Sequence, residues 1–92
     1  MGYAARGAQA DDLFRKADRL ARIAANFHHE FDTGRIKSSR RQVFEAWTEA
    51  HDAYRVAADA YVEVGGPTAL RLADQMNQYA NDALERRRPL ER

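Results

Sequence analysis

The sequence predicts an all-α fold, a three-helix bundle built on a long antiparallel helical hairpin. Three observations carry that expectation. Two long segments repeat apolar residues at alternating intervals of four and three, punctuation residues divide the chain twice, and nowhere do apolar residues alternate as a strand requires. Ninety-two residues allow a single core and therefore one domain.

The first helix is expected over residues 11–31, with Asp11 and Asp12 at its positive N-terminal end and Gly34 placed to terminate it. Residues 1–8 are expected to form a flexible leader. A second helix is expected over 39–64. Ser39 can cap it while Gln42, three residues on, reaches back, and Gly65 can leave it in a left-handed conformation. Pro67 suits the first turn of a third helix over 67–87, and Pro89 closes it, leaving 89–92 as a frayed tail.

In the first helix Leu13, Ala17, Leu20, Ala24, Phe27 and Phe31 keep the 4–3 rhythm, and in the second Val43, Trp47, Ala50, Tyr54, Ala57, Tyr61 and Val64 extend it. Two such seams joined by a short connection pair antiparallel. Large residues must meet gaps for a core to reach crystal-like density, and one register satisfies this. It sets Leu13 by Tyr61, Ala17 by Ala57, Leu20 by Tyr54, Ala24 by Ala50, Phe27 by Trp47 and Phe31 by Val43. Bulky layers then alternate with layers of alanine alone.

The third helix has a stripe of smaller residues, Leu72, Ala73, Met76, Tyr79, Ala80 and Ala83, and is expected to run parallel to the first. The alanine strip Ala46, Ala53 and Ala60 offers it a close fit, which would leave the opposite flank, with Phe14, Phe44, His28 and His51, open as a cleft or dimer face, with docking on that opposite flank as the alternative. The apolar flank residues Phe14, Ile23, Phe44, Leu70 and Leu84 exceed what a three-helix monomer readily covers, and a homodimer would cover them.

The absence of cysteine removes disulfides, thiolate catalysis and cysteine-ligated zinc. No apolar run approaches the roughly 18 residues of a membrane span, and Met1 to Ala10 lacks the apolar region of a signal peptide, so a cytoplasmic protein is expected. Thirteen arginines to two lysines, with eighteen alanines, point to a GC-rich genome such as that of a bacterium or phage. Trp47 is followed by Thr48 and Glu49, so the Trp-x-Gly turn of secreted helical hairpins is absent.

Candidate chemistry is sparse. His28, His29 and Glu30 are consecutive, and adjacent helical positions project about 100° apart rather than onto one metal-facing side. His28 and His51 fit better as hydrogen-bonded flank residues, and His29 as a solvent-facing one. Ser38 and Ser39 are accounted for by loop and cap, Thr48 by an ordinary helix surface, and Gly65-Gly66-Pro67 by a helix break with no phosphate-loop lysine after it. No catalytic residue, metal or cofactor is expected.

Charge is more informative than reactivity. The formal total is only +1, yet Glu45, Glu49, Asp52, Asp59 and Glu63 recur with Val56 along the outward positions of the second helix, while Arg15, Arg19 and Arg22 do so on the first. Such stripes are commonly solvated faces, but an acidic ridge with an exposed valine also suits a basic partner. The favoured expectation is a non-enzymatic protein–protein interaction module, such as a small bacterial or phage adaptor or inhibitor, binding through Glu45, Glu49, Asp52, Val56 and Asp59 together with Phe14 and Phe44. The alternative is a nucleic-acid-binding bundle. It would use Arg35, Lys37, Arg40 and Arg41 at the hairpin tip with Arg86, Arg87 and Arg88 at the same end.

Overall fold

The structure, a computed structural model, describes residues 2–34 and 39–91, with side chains for 7–34 and 39–91. It is all-helical: α1 (Gly2–Asp32), α2 (Arg40–Val64), α3 (Gly66–Arg87) and a 3-10 turn over Arg88–Leu90. The bundle is long and thin, 50 × 18 × 14 Å.

Helix α2 begins as its sequence specifies. The Ser39 hydroxyl accepts from the Gln42 backbone N–H at 3.1 Å, and the Gln42 side chain accepts from the Ser39 N–H at 2.9 Å, so two otherwise orphaned donors are satisfied reciprocally. At the far end Gly65 alone separates α2 from α3, with φ 77° and ψ 175°, a combination open essentially to glycine only. Gly66 follows at φ 84°, and Pro67 occupies the first turn of α3.

Polar contacts fix the direction of packing. Tyr61 donates to Asp11, Tyr54 to Asp18 at 2.7 Å, and the Trp47 indole N–H to His28 Nδ1 at 3.0 Å. Numbers rise along α1 as they fall along α2, so the hairpin is antiparallel. Ala17 and Ala57 are fully buried in one part of the core, and Ala24 and Ala50 in another, which agrees with the register expected from the size pattern. Helix α3 also lies antiparallel to α2, with Tyr79 against Tyr54 at 5.3 Å between ring centroids and Arg86 over Trp47 at 5.6 Å. It is therefore parallel to α1.

Three expectations need correction. Residues read as a flexible leader are helical from Gly2, and Ala10, which extends the 4–3 rhythm backward from Leu13, is fully buried. The tail does not fray at Pro89: the 3-10 turn carries Leu90 inward against Val43, Trp47, Ala50 and Ala83. Most consequentially, α3 does not cover the alanine strip. It covers the opposite flank, where Phe14 stacks with Tyr79 at 6.4 Å and Arg87 lies 4.6 Å above the Phe44 ring.

Candidate functional site

The position of α3 decides which surfaces remain. Both α1 and α3 pack along α2 and meet each other through Phe14 and Tyr79, so α2 is central, yet one side of it is left uncovered. There Glu45, Glu49, Asp52, Val56, Asp59 and Glu63 are all exposed, Val56 at 51%. Their 3–4 spacing puts them in one row opposite the α1 seam.

Beside this row runs a shallow apolar groove between α1 and α2, lined by Leu20, Ile23 and Phe27 from α1 and by Gln42, Glu45, Ala46 and Glu49 from α2, with a volume of about 170 Å³. Ile23 is 45% exposed. Ala46, which was expected to help seat α3, instead leaves room here. Nearer the start of α1, beyond the groove, Lys16 and Arg19 are exposed.

Phe14 and Phe44, expected as docking residues, are half-buried under α3. Thr48, expected on an ordinary surface, is also half-covered: its hydroxyl donates to the Phe44 carbonyl at 2.9 Å and accepts from Arg87 at 3.0 Å. His28 and His51 do form hydrogen bonds, with Trp47 and Asp52 respectively, and His29 is exposed. Because Trp47 can only donate, His28 Nδ1 must be the accepting nitrogen. Among the described residues, no group of three or more His, Cys, Asp or Glu side chains is arranged to hold a metal, and no helix is long and apolar enough to cross a membrane.

The basic end is less open than the sequence suggests. Arg35 and Lys37 lie outside the described residues. Arg41 pairs with Glu45 at 3.0 Å and Arg88 with Glu85 at 3.1 Å. Arg87 joins Thr48, Glu91 and the Phe44 face, so its work is to hold α3 down. Arg40 and Arg86 remain exposed at that end.

The two tyrosine–aspartate bonds are the strongest electrostatic feature of the core. Burial pushes both phenols above their ordinary value of 10.0, and the hydrogen-bonded carboxylates Asp18 and Asp11 push them further, because a phenolate would face an existing negative charge. At neutral pH both phenols are therefore protonated donors, and their bonds to α1 help fix the register.

No protein-family model, curated protein or solved structure matches the chain. Its function rests on the surfaces just described.

Sequence reasoning found the acidic row but missed Leu20, Ile23 and Phe27 as its neighbours. It assigned Leu20 and Phe27 wholly to the seam, and it placed α3 over Ile23's side of the hairpin. The signal that would have separated the flanks was aromatic: Tyr79 fits between Phe14 and Tyr54, whereas the alanine strip offers it no ring.

Proposed function

We propose that this chain is a non-enzymatic protein-binding module, a cytoplasmic adaptor or inhibitor of bacterial or phage origin, which takes a basic partner on the free face of α2. The observation that carries this reading is that Glu45 and Glu49 line the same groove as Leu20, Ile23 and Phe27. An apolar anchor beside a row of carboxylates suits a partner segment with an apolar side chain flanked by lysines or arginines, the apolar part supplying affinity and the charges orientation and speed.

Fluorescence anisotropy with a labelled cationic amphipathic peptide tests it. Binding should weaken as salt rises and fall by about tenfold or more in Glu49→Lys/Asp52→Lys, the loss of roughly 1.4 kcal/mol or more of charge pairing. Equal binding by wild type and variant would remove the support.

Two further readings have observations of their own. Exposed Lys16 and Arg19 on α1 and the exposed acidic row of α2 carry opposite charges, and a half-turn about an axis along the hairpin would bring the first of one copy toward the second of the other, the geometry of an isologous homodimer. Sedimentation at several concentrations separates that arrangement from a foreign partner. The parallel course of α1 and α3 gathers Arg40, Arg41, Arg86 and Arg88 at one end, which favours nucleic acid. Steep salt-dependent retention on DNA, lost in Arg40→Ala/Arg86→Ala, would support that function instead.

A further inference from the structure

The turn between α2 and α3 separates two faces that belong to one pattern. Helix α2 meets α3 through Phe44, Thr48, Arg55 and Ala58. From Phe44 a 4–3 rhythm passes through Thr48, His51, Arg55, Ala58 and Val62, crosses the turn at Gly65 and reaches Ala69. It then takes in Ala73, Met76, Ala80 and Ala83, the buried face of α3, with one interval of four where three is expected. Residues at that spacing share one side of a helix. Joined as a single helix, α2 and α3 would therefore carry both contact faces on the same side, one after the other.

A folded-back pair does not need that continuity, because its turn can set the rotation of the second helix. An exchanged dimer does need it. There two copies lie antiparallel, each α2 and α3 run on as one long helix, and the α3 of each chain packs on the α2 of the other. The contacts Arg55–Asn77, Arg87–Thr48 and Tyr79–Tyr54, now made within one chain, would then form between chains. The turn selects the folded-back form. Gly65 (φ 77°, ψ 175°) and Gly66 (φ 84°) hold conformations that an L side chain adopts only under strain. A Cβ built at either would meet nothing within 4 Å, so the obstacle to a side chain there is the backbone alone. Pro67 is a second obstacle to the joined helix, since inside it the ring would lack an N–H and crowd the carbonyl of Glu63.

We propose that Gly65, Gly66 and Pro67 are a conformational switch: they keep α3 on its own α2, and where they give way the chain exchanges α3 with a second copy. Short connections under strain favour such exchange, and here the continuous face supplies the surface for it. The inference goes beyond the protein-binding reading and does not rest on it, because the acidic face of α2 is the same in both forms.

Sedimentation of the full chain at several concentrations gives the dimer dissociation constant that tests this. In Gly65→Ala/Gly66→Ala each change penalises the turn and favours the joined helix, at two sites in each of two chains, so dimerisation should strengthen by about a thousandfold or more. Gly66→Ala alone should fall between that variant and wild type, and adding Pro67→Ala to the pair should strengthen dimerisation again. The chain has no cysteine, so Arg55→Cys/Asn77→Cys, at a hydrogen-bonded α2–α3 pair, can be joined by a bifunctional thiol reagent. On a denaturing gel this pair should give joined monomers in the wild-type background and joined dimers in Gly65→Ala/Gly66→Ala. A dimer formed face to face would still give joined monomers. A Gly65→Ala/Gly66→Ala chain that stays monomeric, loses its helicity, or dimerises with the thiols joined only within chains overturns the proposal.

Discussion

The two halves of the hairpin seam are built on the same size pattern but fastened by different chemistry. In the half away from the tip, Ala10, Ala17, Ala57, Ala58 and Tyr61 meet Ala69, Ala73, Met76 and Ala80 of α3, and phenols donate to carboxylates at the edge. In the half near the tip, Ala24, Val43, Trp47 and Ala50 meet Ala83 and Leu90, and an indole donates to an imidazole. The first fastening needs a proton that tyrosine keeps into alkali. The second needs the lone pair of His28 Nδ1. The two fasteners therefore differ in chemistry, and each can be broken without the other.

The largest effect is expected at the tip. Trp47→Ala removes the ring that packs with Leu90 and Val43, and should cost about 3–5 kcal/mol in urea unfolding followed by circular dichroism. Ala50→Leu should cost about 1–3 kcal/mol, because a layer made for methyl groups has no room for an isobutyl group. Asp52→Leu, two residues away and exposed, should change stability by no more than about 0.5 kcal/mol. Similar melting temperatures for these two variants would argue against the seam.

The outer fastening is tested next. Since both phenol pKa values are raised in the folded state, their contribution is complete below the unfolded value of 10.0 and is lost as pH climbs from there toward the folded values. Melting temperature should hold steady through neutrality and fall above about pH 10. Tyr54→Phe/Tyr61→Phe should start lower and fall less over that range; a parallel decline in wild type and variant would show that other groups govern it. The smallest effect belongs to the inner fastening. His28→Leu removes the acceptor for Trp47 and should cost about 1 kcal/mol in urea unfolding. His28→Gln, whose side-chain oxygen can accept from the same indole N–H, should lose less than His28→Leu, and equal losses would show that this hydrogen bond adds nothing.

How far the fold was legible follows from the same contrast. The register of α1 on α2 could be read because large and methyl-sized residues alternate at fixed spacing, and only one alignment lets them interdigitate. The docking side of α3 could not be read from size, since Ala69, Ala73, Ala80 and Ala83 fit against either flank. Ring contacts and the reach of Arg87 settled it. Leu90 was hidden because Pro89 signals a helix end, yet a 3-10 turn accepts proline at its start and still directs the following leucine inward. The acidic row was visible as a periodicity, but its pairing with Leu20, Ile23 and Phe27 depends on α3 being elsewhere.

That α2 and α3 are separated by Gly65 alone has a consequence for how little α3 needs in order to stay bound. Its buried side chains are mostly alanines, a contact surface that would hold two free molecules together poorly. A tether of one residue keeps the helix at very high local concentration and leaves almost no loop entropy to overcome. Cutting the backbone between Gly65 and Gly66 should therefore release α3 while every side-chain contact is chemically unchanged. The peptide bond, more than the alanines, makes this the third helix of the bundle.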